Sequence, residues 1–328
     1  MRIMVFDVPA ENGGALTILN QYYEKAVKNT SNEWIFVIST PNLKDTVNVK
    51  VINYPWIKKS WFHRLYFDYF IAHKIVKEYK ADEVLSLQNL TIHKARTKQI
   101  LYLHQPLPFV EKKYKLTENM MFWVYQNIIS KMIYKSIVKA DKVIVQTNWM
   151  KDACLIKVNT NPSKIVIKQP EIEITVKKEY KHQVNGKKIF FYPASGLVYK
   201  NHKIIVESVK ILKEQNMANF TVVFTLNGNE NSNVKKLYKI VQDFDLPIEF
   251  IGQISRDKVY EYYNRSILIF PSYIETFGLP LLEAKMHRCP ILASDCAFSH
   301  EILDGYNNCS FFNPFNAKEL SETIINAI

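Results

Sequence analysis

Two glutamates flank a turn that could bind a phosphorylated sugar. Glu275 and Glu283 lie on either side of Phe-Gly278-Leu-Pro280, directly after the apolar segment 267–270, which is typical of a buried strand. Pro280 suits the first position of a helix, because its φ is already helical and no N–H is needed there. The backbone amides near Gly278 would then lack helical partners and could donate hydrogen bonds to an anion, which the helix dipole also favours. This arrangement predicts a diphosphate site. Glu283 is expected to accept hydrogen bonds from hydroxyl groups, as an acid does on a ribose.

This pattern, with seven residues between the glutamates and Pro290-Ile-Leu-Ala-Ser-Asp295 after them, resembles the Glu-x7-Glu element of retaining family 4 glycosyltransferases. The resemblance implies that Glu275 contacts the donor sugar, Glu283 the nucleotide ribose and the intervening amides the diphosphate. The alternative is a surface loop with an acid near a helix start. The donor-binding residues implied in this stretch are Glu275, Thr276, Phe277, Gly278, Leu279 and Glu283.

A lysine in the second half of the chain could neutralise a leaving phosphate. Lys200 follows Phe191-Tyr-Pro-Ala-Ser195-Gly196 in a predicted strand-to-helix turn, and the family motif places a lysine at the equivalent point. An ammonium there stabilises the charge that builds on a departing nucleoside diphosphate. Many family members carry an arginine six residues before it, where this chain has Ala194. Whether Ser195 or an amide near Gly196 replaces that arginine stays open.

Three residues of the first half are further candidates. Gly13 and Gly14 occupy the first predicted strand-to-helix loop, where α/β sheets bind ligands, although a tight turn alone explains them equally well. The resemblance implies that they border the donor diphosphate and the acceptor. His104 lies at the carboxyl end of an apolar strand, where a lone histidine is more often structural. The resemblance implies that His104 orients the donor sugar, making His104, Lys200 and Glu275 the predicted catalytic residues.

Neither a metal nor a cofactor is expected. Gly252 and Gln253 close another predicted strand, and the resemblance implies that the backbone there borders the nucleotide base. Asp243-Phe-Asp245 mimics a metal-binding Asp-x-Asp but does not follow a strand, so it is assigned to a loop. No group of carboxylates and histidines suggests a metal site. The nucleoside diphosphate sugar would enter as a substrate.

Apolar strands alternate with helical patterns along the chain, which predicts parallel sheets with helices on both faces. Together with the resemblance, this predicts an α/β protein of GT-B fold, in which two Rossmann-like doubly wound domains face each other across a cleft. The predicted domains are an acceptor-binding domain (1–168), a polar linker (169–187) and a nucleotide-sugar-binding domain (188–328). The predicted strands are 2–8, 34–39, 48–53, 83–87, 99–103, 142–146, 188–193, 219–225, 247–251, 267–270, 290–293 and 309–312.

The net charge of +12 is concentrated in the first half: residues 1–180 hold 27 basic and 16 acidic side chains, against 16 and 15 in the rest. Cations alternate with aromatic residues in 56–66 and 111–115, and lysines follow at 131, 135 and 139. Such a surface can rest on an anionic bilayer, although an ordinary solvated helix face is an equal alternative. No nucleic-acid-binding signature is present.

Neither a signal peptide nor an apolar run of membrane-spanning length is recognisable, so we expect a cytoplasmic protein, with peripheral contact to the inner face of the plasma membrane as the open alternative. Cys154, Cys289, Cys296 and Cys309 show no metal or redox spacing and are predicted to be buried free thiols.

These features predict a retaining, metal-independent glycosyltransferase. It would move a sugar from a nucleoside diphosphate sugar to a hydroxyl of a glycan or lipid-linked glycan precursor, as in polysaccharide, lipopolysaccharide O-antigen or capsule assembly. One alternative is a sugar-nucleotide epimerase of similar fold. Another is a non-catalytic scaffold that binds nucleotide sugar and membrane.

Overall fold

The protein is described from a computed structural model, which places residues 1–11, 13–171, 174, 176, 178–181, 186–217 and 219–328. Its internal contacts divide the chain into an N-terminal unit, Met1–Glu171, and a C-terminal unit, Ile172–Ile328. The division falls within the predicted linker 169–187, much of which lies outside the described residues.

The N-terminal unit is built on a parallel sheet in the order β3-β2-β1-β4-β5-β6-β7. Its central strands are continuous apolar runs because helices cover both faces of a parallel sheet. Six of its strands were predicted, and the three-residue β7 was not. The strands are β1 (Arg2–Asp7), β2 (Glu33–Ile38), β3 (Val49–Asn53), β4 (Glu83–Ser86), β5 (Lys98–Tyr102), β6 (Lys142–Val145) and β7 (Ile165–Ile167).

Two long helices of this unit each contain a π-helical turn. Phe67–Ile71 is π-helical between α2 and α3, and Tyr125–Ile129 is π-helical between α4 and α5. π-Helical turns are rare in proteins, and those that occur are often found at functional sites. The α-helical segments are α1 (Gly13–Lys28), α2 (Trp61–Tyr66), α3 (Ala72–Glu78), α4 (Met120–Val124), α5 (Ser130–Lys139) and α6 (Asn148–Lys157).

The C-terminal unit has a second parallel sheet, in the order β10-β9-β8-β11-β12-β13. All of its strands in the described residues were predicted. They are β8 (Lys188–Tyr192), β9 (Phe220–Phe224), β10 (Ile248–Phe250), β11 (Ile267–Phe270), β12 (Ile291–Ser294) and β13 (Cys309–Phe312).

Polar caps begin several helices of this unit. Asn231 accepts from the amides of Asn233 and Val234, and Ser255 accepts from that of Lys258, so donors that lack helical partners are satisfied. The helices are α7 (His202–Glu214), α8 (Ser232–Asp243), α9 (Arg256–Tyr263), α10 (Leu279–Met286), α11 (Ala297–Leu303) and α12 (Ala317–Ala327).

In each sheet the strand order reverses at one point. In the first sheet β1 pairs with both β2 and β4, and in the second β8 pairs with both β9 and β11. Ligands of open α/β sheets bind beyond the carboxyl ends of the strands at this reversal. The fold therefore marks one candidate binding region in each unit.

Two further predictions can be compared with the structure. No helix of the described residues has both the length and the apolar character needed to span a bilayer. None of the four cysteines, all of which lie in the described residues, is in a disulfide. Cys154 and Cys289 are buried as predicted, but the prediction of burial was wrong for the half-buried Cys296, which follows β12, and Cys309, which begins β13.

Candidate functional site

The candidate site of the C-terminal unit is formed by the turns that follow β8 and β11, the two strands at the reversal. Their registers pair Ile267 with Phe190 and Leu268 with Phe191, so both strands end at the same edge of the sheet. The turn from β8 to α7 carries Lys200, and the turn from β11 to α10 carries Glu275. Residues 75 positions apart thus become neighbours.

Lys200 and Glu275 form an ion pair with each other through Nζ and Oε1. Their side chains are only 17% and 16% exposed. Burial acts to lower the pKa of Lys200, but the charges of Glu275 and Tyr199 and the hydrogen bond to Glu275 outweigh it, so the pKa is raised. Lys200 is therefore a fixed cation at neutral pH.

Hydrogen bonds hold both partners in place. The hydroxyl of Ser272 donates to Glu275 Oε1 at 2.7 Å, and the hydroxyl of Tyr192 donates to the carbonyl oxygen of Lys200 at 2.7 Å. The amide of Tyr273 donates to the carbonyl oxygen of Tyr199 at 3.2 Å, which joins the two turns directly. The bond from Ser272 offsets part of the cost of burying the Glu275 carboxylate, and the other two fix the backbone of the Lys200 turn.

Asn201 connects the Lys200 turn to the segment that follows β13. Its backbone is left-handed, with φ of 60°, a conformation that asparagine tolerates better than most residues. Its Nδ2 donates to the carbonyl oxygen of Pro314 at 2.7 Å. The neighbouring His202 is buried between Tyr192 and Phe224, and burial lowers its pKa to about 3, so it adds no charge to the site.

Helix α10 begins where the Glu275 turn ends. Gly278 caps it with φ of 80°, and Leu279 is the first helical residue, so the prediction that Pro280 holds the first position was wrong by one residue. Pro280 still needs no hydrogen-bond partner in the first turn. The amides around Gly278 thus lie at a helix N-terminus, as predicted from the sequence, in the same turn as Glu275.

Glu283 lies on the first turns of α10 and is buried. Its Oε1 accepts from Arg256 Nη2 at 3.0 Å, and its Oε2 accepts from the hydroxyl of Tyr263 at 3.3 Å. Burial raises the pKa of Glu283, with the charge of Arg256 and the hydrogen bonds opposing the shift. The structure therefore gives Glu283 protein partners on α9 that the sequence did not reveal, and its ribose contact stays a prediction.

The remaining candidates of this unit lie in the same two turns, except Gly252 and Gln253, which follow the edge strand β10. Ser195 and Gln253 are exposed, and Gly196 and Gly252 are closely packed. A Cβ on Gly196 would come within 2.5 Å of Val234, and one on Gly252 within 2.5 Å of Asn227. The roles of Ser195, Gly196, Gly252, Gln253, Thr276 and Phe277 toward a donor stay predictions.

The candidates of the N-terminal unit lie near its own strand reversal. Gly13, with φ of 59°, and Gly14 begin α1, and a Cβ on either would meet nothing within 4 Å. His104 lies two residues beyond β5, and its amide donates to Asn89 Oδ1 at 2.7 Å. Burial lowers the pKa of His104 to about 4, so its imidazole is neutral at pH 7. Their contacts with a donor stay predictions.

Among the described residues no group of three or more histidines, cysteines or carboxylates could hold a metal ion. Asp243 ends α8, and Asp245 pairs with Lys213 at 2.9 Å.

Comparison with known proteins finds that the C-terminal unit is similar to glycosyltransferases. Residues 175–328 match the family model described as Glycosyl transferases group 1. The chain is 21% identical over 246 residues to the O-antigen chain mannosyltransferase RfbU of Salmonella typhimurium, covering 74% of this chain and 61% of that protein. It is 31% identical over 141 residues to the N,N'-diacetylbacillosaminyl-diphospho-undecaprenol alpha-1,3-N-acetylgalactosaminyltransferase of Campylobacter jejuni, covering 43% and 35%. The chain therefore spans less than two thirds of either relative.

Among solved structures, Anabaena HepE in complex with UDP and glucose is similar with a TM-score of 0.69 at 15% identity, covering 100% of this chain and 89% of that one. This likeness confirms the predicted fold, GT-B with two Rossmann-like domains. The relatives are glycosyltransferases by name, which supports the predicted enzyme class.

A side chain at Gly278 should destabilise the cap of α10. In Gly278→Ala the left-handed backbone costs about 1–2 kcal/mol, and the new Cβ meets Leu281 and Phe298 at 3.3 Å. Gly305→Ala is the matched control, because its φ of 69° is similar and a Cβ there meets nothing within 4 Å. We expect Gly278→Ala to lose about 1–3 kcal/mol more than the control, as crowding in a packed site does. Urea denaturation of both variants measures the difference, and equal losses would contradict this account of the cap.

Proposed function

We propose that the chain is a retaining, metal-independent glycosyltransferase. It would move a sugar from a nucleoside diphosphate sugar to a hydroxyl of a glycan or lipid-linked glycan precursor, in polysaccharide, O-antigen or capsule assembly. The observation that carries the proposal is the Lys200–Glu275 pair beside the N-terminus of α10, in the unit that matches the glycosyl transferases group 1 model. The names of the Salmonella and Campylobacter relatives support glycan and lipid-linked acceptors.

The donor would be held by three neighbouring groups. The diphosphate lies against the amides at the start of α10, with Lys200 as its counter-charge. Glu275 accepts hydrogen bonds from hydroxyls of the sugar. In the described residues, Lys200 and Ser272 both bond to Oε1 of Glu275, which keeps Oε2 for the ligand.

Transfer needs no nucleophile from the protein. The bond between the sugar C1 and the phosphate oxygen breaks, and a bond from C1 to the acceptor oxygen forms on the same face. The acceptor proton passes to the leaving phosphate. Lys200 and the α10 amides stabilise the negative charge that grows on that phosphate, the largest catalytic contribution available to such a site.

Substitution of the ion pair tests this assignment. We expect Lys200→Met and Glu275→Gln each to lower turnover more than tenfold. Lys200→Met removes the positive charge that stabilises the leaving phosphate, and Glu275→Gln removes the carboxylate that accepts hydrogen bonds from the sugar hydroxyls. Release of nucleoside diphosphate from a panel of sugar nucleotides, with and without lipid-linked acceptors, measures the rate, and NMR of the product gives the anomeric configuration, expected to be retained.

Lys213→Met is the matched control, since Lys213 also pairs with a carboxylate but lies away from the site. It should keep the wild-type rate, as should wild-type enzyme in excess EDTA. Wild-type rates in both site variants would refute the assignment, an isomerised donor would favour the epimerase, and no turnover with any pair of substrates would favour the scaffold.

A membrane surface is the proposed partner of the N-terminal unit. The helix from α2 to α3 exposes large apolar side chains, and so do residues 120, 121 and 128 on the helix from α4 to α5. Two residues of the predicted surface do not take part: Trp56 packs its ring against Tyr54 and Phe67, and Arg64 pairs with Asp68. The exposed apolar residues of the first helix are Trp61, Phe62, Leu65, Tyr66, Tyr69 and Phe70.

Vesicle binding tests this surface. Phe62→Ser with Phe70→Ser removes two rings that are 83% and 56% exposed, and should weaken co-sedimentation with anionic vesicles at least tenfold. Ile156→Ser, which changes a side chain 80% exposed on α6, is the control and should bind as wild type. Equal binding by the double variant and the control, or no binding by the wild type, would contradict the proposal.

A further inference from the structure

The C-terminal unit contains a groove between α7 and α8 that the proposed transfer chemistry does not use. Its volume is about 450 Å³, which is within the range of small-molecule sites. Both helices run in the same direction along it, because each follows a strand of one parallel sheet. At one end the Asn231 side chain, which caps α8, donates to the carbonyl oxygen of Gly196 at 2.8 Å. Phe244, which follows α8, lines the other end.

Large apolar side chains in this groove remain exposed. Leu197 and Val198, in the turn before α7, are 48% and 41% exposed. Ile240 and Phe244, at the end of α8, are 36% and 46% exposed. Apolar side chains exposed singly are ordinary, but four that line one groove mark a binding surface.

The apolar side of α8 is incompletely packed. Val234 and Val241 are its buried residues, whereas Leu237 and Ile240 lie between them on the same side of the helix and line the groove. Val206, which is buried, lines the groove from α7. An apolar chain laid between the two helices would complete the packing that α8 lacks on this side.

The rim of the groove is positively charged. Lys203, Lys210 and Lys236 line it, and the carboxylate in the lining, that of Glu207, is paired with Lys203 at 3.3 Å. Lys210 Nζ lies 3.8 Å from the centre of the Phe244 ring. Neither Lys210 nor Lys236 pairs with a carboxylate in the part of the chain that the structure describes. An anionic group at the rim would therefore meet two cations that no carboxylate neutralises.

Apolar walls below a positive rim select an anionic amphiphile with a single chain, which is the chemistry of a fatty acid. A cationic amphiphile would be repelled at the rim, and a neutral one would gain nothing from the lysines. A partner helix fits less well, because two turns of a helix about 10 Å wide occupy roughly 850 Å³. The groove could hold only part of it.

One end of the groove also belongs to the turn that carries Lys200. The amide of Lys200 donates to the carbonyl oxygen of Leu197 at 3.0 Å. The amide of Asn201 donates to the carbonyl oxygen of Val198 at 3.0 Å. A chain packed against Leu197 and Val198 would therefore restrict the backbone that positions Lys200.

We infer that the groove between α7 and α8 binds a fatty acid, with its carboxylate at Lys210 and Lys236, and that the bound chain tightens nucleotide binding by ordering the Lys200 turn. The binding site itself is independent of the proposed function. The effect on nucleotide rests on the proposed donor site, and by linkage the nucleotide tightens fatty-acid binding by the same factor.

Titration with decanoate below its critical micelle concentration tests the site. Decanol is the neutral match and decyltrimethylammonium the cationic one, and the methyl NMR signals of Val198, Leu237 and Ile240 report binding to this groove. We expect decanoate to bind at least tenfold more tightly than either match, because two cations face its head. Octanoate should bind about fourfold more weakly than decanoate, since its chain is two half-buried methylene groups shorter.

Lys210→Met with Lys236→Met, the rim variant, removes both cations at similar side-chain length. It should bind decanoate about tenfold more weakly and bind decanol as the wild type does. Lys235→Met with Lys239→Met is the matched control, because it removes the same charge from exposed positions of α8 that do not line the groove. The control should keep the wild-type preference for decanoate.

Ile240→Ser removes part of the apolar wall and should weaken decanoate and decanol alike, at least threefold. Equal affinity of the wild type for decanoate and decanol, or equal binding by the rim variant and its control, would overturn the site. Unchanged binding by Ile240→Ser would do so too, as would chemical shift changes confined to methyl groups of the N-terminal unit.

Calorimetry of nucleoside diphosphates, with and without decanoate at a concentration that saturates the wild type, tests the coupling. We expect the nucleotide affinity of the wild type to rise at least threefold, and that of the rim variant to rise less. An affinity that decanoate leaves unchanged in the wild type would overturn the coupling. If no nucleoside diphosphate binds at all, the proposed donor site fails and the coupling with it, while the decanoate titration still decides the groove.

Discussion

The ion pair between Lys200 and Glu275 is the constraint on which the candidate donor site depends. Two charges with so little exposure are stable only where geometry and further hydrogen bonds compensate for lost hydration. Ser272 supplies such a bond to Glu275, while Tyr192 and Asn201 hold the backbone of the Lys200 turn in place; all three belong to β8 or to the turns that follow β8 and β11. The pair thereby fixes two turns whose sequences are far apart, and it holds a cation beside the start of α10 before any ligand arrives.

Preorganisation of this kind matters for the proposed chemistry. A leaving phosphate gains most from charges that are already in position, because none of the binding energy is then spent on moving them. The left-handed Gly278 contributes in the same way, since it turns the chain so that α10 begins next to the pair. The Lys200 turn also borders the groove between α7 and α8, so a ligand bound there would pack against the backbone that carries Lys200.

The strands of both sheets could be predicted because buried parallel strands are continuous apolar runs. β7 was not predicted because its three residues, Ile165–Ile167, are too few to form a recognisable apolar run. Lys200 and Glu275 were recognised from their motifs, but their contact was not, since a salt bridge between distant turns leaves no local signal. Arg256 and Tyr263 were missed as partners of Glu283 for the same reason. The groove between α7 and α8 depends on how the two helices pack and cannot be read from residue types.

The central claim is that Lys200 and the start of α10 bind the diphosphate of a nucleotide sugar. The most direct measurement is the ratio of affinities for a nucleoside diphosphate and the corresponding monophosphate, determined by calorimetry across several bases, in the wild type and in Lys200→Met. The account predicts that the wild type prefers the diphosphate of at least one base by tenfold or more, and that Lys200→Met loses most of this preference. A preference that is absent in the wild type, or unchanged in the variant, would contradict it.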